Sequence, residues 1–123
     1  MTKTELGQYG EDLALQKYLE NGYELVAQNF NYYIHEKVGE IDLIMIKDNR
    51  LYLVEVKTRS NKSYGEVLEQ ITRKKLLCIY KSYLGFLKKY PGLNEYFVQF
   101  DVATVIDDVV TIYPNAASFE GIF

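Results

Sequence analysis

Charged residues interrupt two neighbouring runs of the chain that otherwise have the composition of buried β-strands. Asp42 lies in the run GEIDLI at residues 39–44, and Glu55 and Lys57 lie in the run LVEVKTR at residues 53–59. Burying a carboxylate or an ammonium group in a dry strand costs several kcal/mol unless a partner or a metal ion compensates. These charges therefore predict a functional site, and they favour a fold in which both strands meet at one polar edge.

The phase of the strands brings these charges together. Side chains alternate between the two faces of a strand, so Glu55 and Lys57 are predicted to share a face. Residues 43–46 form an apolar run typical of a strand that is covered on both sides, and the polar residues 47–50 predict a turn. In the resulting antiparallel hairpin, Asp42 is expected beside Glu55 and Lys57.

The rest of the chain predicts a mixed α/β sheet. A helix opens at the Thr2–Glu5 capping box, and a second helical stretch opens at the Ser63–Glu66 capping box and ends before Pro91. Strands are predicted at residues 23–30, 38–47, 50–58, 95–106 and 109–113. The order α-β-β-β-α-β-β indicates a central mixed sheet of about five strands flanked by helices. The 123 residues fit a single domain spanning 1–123.

The charged strands resemble the PD-(D/E)XK nuclease superfamily, and the chain as a whole resembles the YraN-like family of poorly characterised proteins. The specific part is the GEID strand followed by VEVKTR at this separation. The other residues that carry the resemblance are Gly7, Gly10, Glu11, Ala14, Asn29, Lys74, residues 100–102, Asn115 and Ala116. The resemblance implies a restriction-endonuclease-like fold.

Two departures from the family pattern bear on the site. Gln99 stands where the family usually has an arginine, so any ion pair of that arginine is absent or replaced. The stretch 32–37 is longer than usual and predicts a hairpin insertion near the site.

The resemblance and the residue types together predict metal-dependent phosphodiester hydrolysis. Hard oxygen ligands suit Mg²⁺ or Mn²⁺. Asp42 and Glu55 are expected as direct ligands together with the backbone carbonyl of Val56. Glu11, on the small and largely apolar stripe of the first helix, is expected as a third carboxylate. Lys57 is expected to orient the attacking water or to stabilise the developing phosphorane charge.

The residues alone also allow a structural interpretation, in which Lys57 pairs with Glu55 or Asp42 in an ion network without metal. Two functions therefore stay open. One is a Mg²⁺-dependent endonuclease acting on branched or single-stranded DNA. The other is a non-catalytic nucleic-acid-binding or adaptor protein that retains the fold. Asp101, an acid within an apolar strand, is expected to have a structural role.

The charge distribution favours a nucleic-acid partner, DNA in particular, although the net charge is −3. Residues 57–89 contain nine basic and only two acidic side chains, which predicts a polarised surface for a phosphate backbone. Thr58 and Arg59 follow the catalytic strand, and Gln70 and Lys74 lie one helical turn apart. These four residues are the expected nucleic-acid contacts, with Lys74 preferred to Lys75 because it matches the helix lysine of the family.

Composition excludes several other classes. No apolar run is long enough to span a bilayer, and residues 1–4 lack a signal-peptide pattern. Cys78 is the only cysteine and His35 the only histidine, which excludes an intrachain disulfide and a cysteine-rich zinc site. The expected location is the cytoplasm, without membrane contact, and a homodimer is left open.

Overall fold

A five-stranded mixed sheet with one helix on each face forms the described part of the chain. The computed structural model describes residues 1–59 and 71–122. The elements are α1 (Lys3–Glu20), β1 (Glu24–Ile34), β2 (Glu36–Lys47), β3 (Arg50–Arg59), α2 (Arg73–Lys89), a short 3₁₀ helix (Pro91–Glu95), β4 (Phe97–Ile106) and β5 (Val109–Ala117). The predicted class and the order α-β-β-β-α-β-β are confirmed.

The strands lie in the order β1-β2-β3-β4-β5. All neighbouring pairs are antiparallel except β3 and β4, which run parallel. A parallel pair needs a crossover connection, and α2 lies in that connection. The strand that carries Glu55 and Lys57 is therefore central, with β2 on one side and β4 on the other.

Each face of the sheet has its own apolar core. Ala14 and Tyr18 of α1 pack with Leu43, Met45 and Val54 on one face. On the other face α2 packs over a larger cluster that includes Ile44, Leu51, Leu53, Ile79, Phe86 and Phe100. The alternation of Leu53 and Val54 between these cores confirms the predicted phase of β3.

Close packing of α1 on β3 fixes where the first helix lies. A Cβ atom at Gly10 would collide with the hydroxyl group of Thr58, so this approach requires a glycine. The capping box of Thr2 and Glu5 begins the helix as predicted. This packing sets Glu11, the next residue, close to the end of β3.

Several element boundaries differ from the prediction. Helix α2 begins at Arg73, after Thr72 caps it by accepting a hydrogen bond from the backbone N–H of Lys75. The expectation of one continuous helix is wrong at residues 71–72, which are not helical, and the capping box at Ser63 lies outside the described residues. Strand β4 begins at Phe97 because Pro91 starts a 3₁₀ helix.

Both edge strands are longer than predicted. Strand β1 continues past Phe30 to Ile34, and β5 continues past Tyr113 to Ala117. Asn29 and Asn115 adopt left-handed backbone conformations, with φ of 52° and 53°, within these strands. Such irregular positions are tolerated at sheet edges, where each strand pairs on one side only.

In the described residues, no helix has the length and apolar character needed to cross a membrane.

Candidate functional site

Asp42 lies where strands β2 and β3 separate. Their paired register ends at Leu43 and Val54, so Asp42 and Glu55 are the next residues on the two strands. The Asp42 Oδ2 atom accepts a hydrogen bond of 2.8 Å from the backbone N–H of Val56. The carboxylate thus takes the place of a backbone acceptor in the gap. The predicted hairpin register is confirmed, and it holds Asp42 beside Glu55.

Glu55 is held by two lysines. Its side chain is 8% exposed. The Lys57 Nζ atom lies 3.3 Å from the Glu55 Oε1 atom, and the Lys75 Nζ atom lies 3.6 Å from the same oxygen. Lys57 comes from the same face of β3, as predicted, whereas Lys75 reaches the site from the first turn of α2. The buried charge of Glu55 is therefore compensated by two cations.

Glu11 has no such compensation. Its Oε1 atom is buried and has no hydrogen-bond partner in the described part of the chain. The pKa of Glu11 is raised to about 7, mainly by burial and then by the negative charges of Glu40, Asp12 and Glu55, while the side chain of Asn29 opposes the shift. A cation that approaches this carboxyl group would stabilise its ionised form and lower its pKa.

The pKa of Asp42 is raised to about 8. Burial is the main cause, followed by repulsion from Glu55, with smaller contributions from Glu11 and Glu40. The hydrogen bond from the N–H of Val56 acts in the opposite direction. Without a bound cation, burial and the neighbouring negative charges therefore favour the protonated form of Asp42.

These side chains line one open cleft with a volume of about 480 Å³. The predicted site residues that line it are Glu11, Asp42, Glu55, Val56, Lys57, Thr58 and Arg59, and Lys3, Leu6 and Gly7 of α1 complete its wall. The structure thus brings together both carboxylate strands, the lysine and the two residues that follow it.

The three acidic side chains do not form a closed ligand set. In residues 1–59 and 71–122, no three histidine, cysteine, aspartate or glutamate side chains are placed to bind one metal ion. The arrangement therefore offers at most a pair of side-chain ligands at one point, with further positions left for water, backbone oxygen or substrate.

Comparison with known proteins decides the family. The chain matches the family described as "Uncharacterised protein family UPF0102" over residues 10–105. The chain belongs to the UPF0102 family. A UPF0102 protein of Acinetobacter baumannii (strain AYE) is 40% identical over 98 residues, which cover 80% of this chain and 71% of the relative. A UPF0102 protein of Legionella pneumophila (strain Philadelphia 1) is 40% identical over 101 residues, 82% of each chain. The YraN-like resemblance is supported by these matches.

Lys75 is the site residue of this UPF0102 protein that sequence reasoning missed. Lys74, which the family pattern favoured, is exposed and forms no ion pair with the described acidic side chains. Helical phase could have distinguished the two lysines. Lys75 shares a stripe with Ile79, Ser82 and Phe86, which are buried against the sheet, at spacings of four, three and four residues.

The other expected contacts of the UPF0102 protein lie at different distances from the cleft. Thr58 and Arg59 line it, and the guanidinium group of Arg59 donates to the backbone carbonyl of Thr58 at 3.1 Å. Gln70 lies outside the described residues. Lys74 is the second residue of α2, which begins at Arg73.

Asp101 has the expected structural role in the UPF0102 fold. It is 1% exposed, and its two carboxylate oxygens accept hydrogen bonds from Tyr18 Oη (2.8 Å), Gln99 Nε2 (2.8 Å) and the N–H of Asn115 (3.0 Å). Gln99, at the position where the resemblance implied an arginine, thus contacts Asp101 by a hydrogen bond, and its own Oε1 atom accepts from Arg50 at 3.3 Å. Asp101 joins α1 to β5 and lies apart from the cleft.

Proposed function

We propose that this UPF0102 protein is a metal-dependent nuclease with a restriction-endonuclease-like fold. It hydrolyses phosphodiester bonds in nucleic acid, DNA in particular. The observation that supports this most directly is the common cleft of Glu11, Asp42, Glu55 and Lys57 at the point where β2 and β3 separate. The two acidic groups with raised pKa values favour a divalent cation there, because such an ion would offset their burial and repulsion.

The donor set suits Mg²⁺ better than a metal that needs a full protein cage. Mg²⁺ is usually bound by one or two carboxylates, keeps several waters and takes further ligands from substrate phosphates. Asp42 and Glu55 would hold it with the Val56 carbonyl, and Glu11 would bind through water. Mg²⁺ or Mn²⁺, when bound, polarises the phosphoryl group and lowers the pKa of water.

The chain itself contributes orientation and positive charge. The N–H of Val56 holds Asp42 in one orientation. Lys57, whose ammonium group lies against Glu55 at the cleft, is positioned to orient a water molecule or to stabilise the charge that develops on the phosphorane. Thr58 and Arg59 extend the cleft wall and are suited to contact the neighbouring phosphate.

A second candidate function is a non-catalytic nucleic-acid-binding or adaptor protein. The observation that favours it is the compensation of Glu55 by the ammonium groups of two lysines. In that case Lys57 and Lys75 only stabilise the buried Glu55 at the end of β3. Nucleic acid is then contacted by the basic side chains of residues 57–89 without cleavage. For either function we place the protein in the cytoplasm as a single domain, and a homodimer stays a prediction.

The test combines metal binding and cleavage. We expect calorimetry to detect Mg²⁺ or Mn²⁺ binding to the wild type and to detect none in Asp42→Asn, which keeps an acceptor for the N–H of Val56. For cleavage, the wild type and the variants Lys57→Ala and Glu55→Gln are each incubated with forked, four-way and single-stranded DNA. Each reaction contains Mn²⁺ or Mg²⁺. We expect cleavage by the wild type and a loss of at least a hundredfold in each variant.

The matched control is Glu24→Gln, which removes one exposed carboxylate from the start of β1, outside the cleft. It should bind metal and cleave like the wild type. Flat titrations for both the wild type and Asp42→Asn would remove the metal site. Cleavage that persists in the Lys57 and Glu55 variants would place the activity elsewhere, and metal binding without cleavage would favour the second candidate.

A further inference from the structure

Helix α2 carries a basic stripe that leads away from the cleft. The stripe consists of Lys74, Lys81 and Lys88, three exposed lysines at intervals of seven residues. A heptad interval drifts by only about 20° around a helix, so the three side chains lie along one side. The stripe covers about 21 Å at a rise of about 1.5 Å per residue. It begins next to Lys75, which contacts Glu55 in the cleft.

The charge of the stripe is not neutralised by described neighbours. Helix α2 contains no acidic residue between Arg73 and Lys89. In residues 1–59 and 71–122, ion pairs are formed by Lys37, Lys57 and Lys75 and by none of the three stripe lysines. A row of lysines that has no acidic partner among the described residues attracts a polyanion that runs along the helix.

The far end of the stripe opens onto an apolar groove. The β1–β2 hairpin lies against α2, with the ring of Tyr32 so close to Gly85 that a Cβ atom there would collide with it. The groove between them, of about 330 Å³, is lined by Tyr32, Ile34, Val38, Lys81, Leu84, Gly85 and Lys88. Ile34 is 56% exposed and Leu84 is 39% exposed. Residues of the β1–β2 hairpin, within and next to the stretch 32–37, thus form one wall of the groove.

We propose that the stripe and this groove bind a single-stranded nucleic-acid segment that extends from the carboxylate cleft. Lys81 and Lys88 contact phosphates, and the apolar and aromatic wall receives unpaired bases. A duplex can meet the lysines, but its bases are stacked inside and cannot enter the groove, whereas unpaired bases have a free face. The inference rests on the proposed function and adds to it the substrate class, a nucleic acid with a single-stranded arm.

The test is equilibrium binding of fluorescently labelled oligothymidylate of twenty nucleotides, measured by anisotropy in EDTA at several salt concentrations. Lys81→Gln and Lys88→Gln each weaken binding about three- to tenfold, and each lowers the salt slope by about 0.7, the value for one phosphate contact on a single strand. The control Lys17→Gln removes one positive charge from an exposed position of α1, and it leaves the affinity and the salt slope unchanged. Leu84→Ser weakens binding about threefold without changing the slope, because it removes an apolar contact.

A duplex of the same length binds more weakly than the single strand at equal salt. Binding of the single strand that is unaffected by Lys81→Gln and Lys88→Gln overturns the inference, as does a preference for the duplex. Binding of an oligoglutamate peptide in place of the oligonucleotide also overturns it and identifies an acidic protein as the partner. Because EDTA removes any need for cleavage, the two proposals fail separately: stripe-dependent binding without cleavage in Mn²⁺ supports the groove and refutes the nuclease.

Discussion

The raised pKa values of Asp42 and Glu11 predict that the metal-free protein loses stability as the pH rises. Asp42 has a pKa of about 8 in the folded protein and 3.8 as an ordinary aspartate. Between these values the folded state binds a proton that the unfolded state has released, so the free energy of unfolding decreases with pH. The contribution of Asp42 to the free energy of unfolding is fully present below pH 3.8, the pKa of an ordinary aspartate. This contribution is lost as the pH rises through about 8, the pKa of Asp42 in the folded protein.

The slope follows from the number of protons. One proton bound only by the folded state changes the free energy of unfolding by about 1.4 kcal/mol per pH unit. From pH 6 to pH 8 we therefore expect the metal-free protein to lose about 2 kcal/mol through Asp42. Glu11, with a pKa of about 7, adds a smaller loss below pH 7 because its side chain is partly exposed and screened by solvent.

The assay is urea denaturation at half-unit pH steps from 6 to 9, with EDTA or with Mg²⁺. In Asp42→Asn, the free energy of unfolding should decrease with pH only by the smaller amount that Glu11 contributes. This variant should also be more stable than the wild type at pH 8 in EDTA. Saturating Mg²⁺ should restore about 2.7 kcal/mol to the wild type at a concentration one hundred times the dissociation constant, and nothing to Asp42→Asn.

The control variant Glu24→Gln, which changes the net charge equally outside the cleft, should keep the full slope. This control separates the cleft from the general growth of negative charge above the isoelectric point. A wild-type stability that stays constant or rises between pH 6 and pH 8 in EDTA would refute the reasoning. So would an Asp42→Asn slope equal to that of Glu24→Gln.

Two further predictions concern the packing that positions the cleft. Gly10→Ala should destabilise the fold by about 1–3 kcal/mol in thermal unfolding, because its methyl group meets Thr58. Gly7→Ala, with open space at the same helix, should be neutral or stabilising by up to about 1 kcal/mol, and equal effects of the two changes would contradict this packing. Tyr18→Phe should cost about 1–3 kcal/mol in urea denaturation, because buried Asp101 loses a hydrogen bond of 2.8 Å; an unchanged midpoint would argue against that bond.

The parts of the fold that local patterns specify were accessible from the sequence. The alternation of Leu53, Val54 and Glu55 defines two faces, and the polar residues 47–50 define the turn, so together they determine which side chains of the hairpin meet. The hairpin register, the shared face of Glu55 and Lys57 and the order of elements follow from these patterns. Each depends on neighbours within a few residues.

The parts that depend on contacts between distant elements were not accessible. Lys74 and Lys75 are adjacent and chemically identical, and only the packing of α2 on the sheet decides which one reaches Glu55. The separation of β2 and β3 beyond Leu43 is likewise invisible to alternation, because a strand that leaves its partner keeps its own period. Strands β1 and β5 likewise continue past Phe30 and Tyr113 because they keep pairing with β2 and β4, which the pattern of a single strand does not show.

The distribution of compensating charge within the cleft argues for a bound cation more strongly than the presence of acids alone. An ion network built for stability would spread its lysines over the carboxylates, yet both Lys57 and Lys75 lie against Glu55. Asp42 keeps one backbone N–H, and Glu11 keeps a buried oxygen without a hydrogen-bond partner in the described residues. Two acidic groups are therefore left to bind either protons or a cation at the open end of the sheet. A stability role explains the compensation of Glu55, but it does not explain the cost of burying the other two, whereas a divalent ion shared with a substrate phosphate explains both.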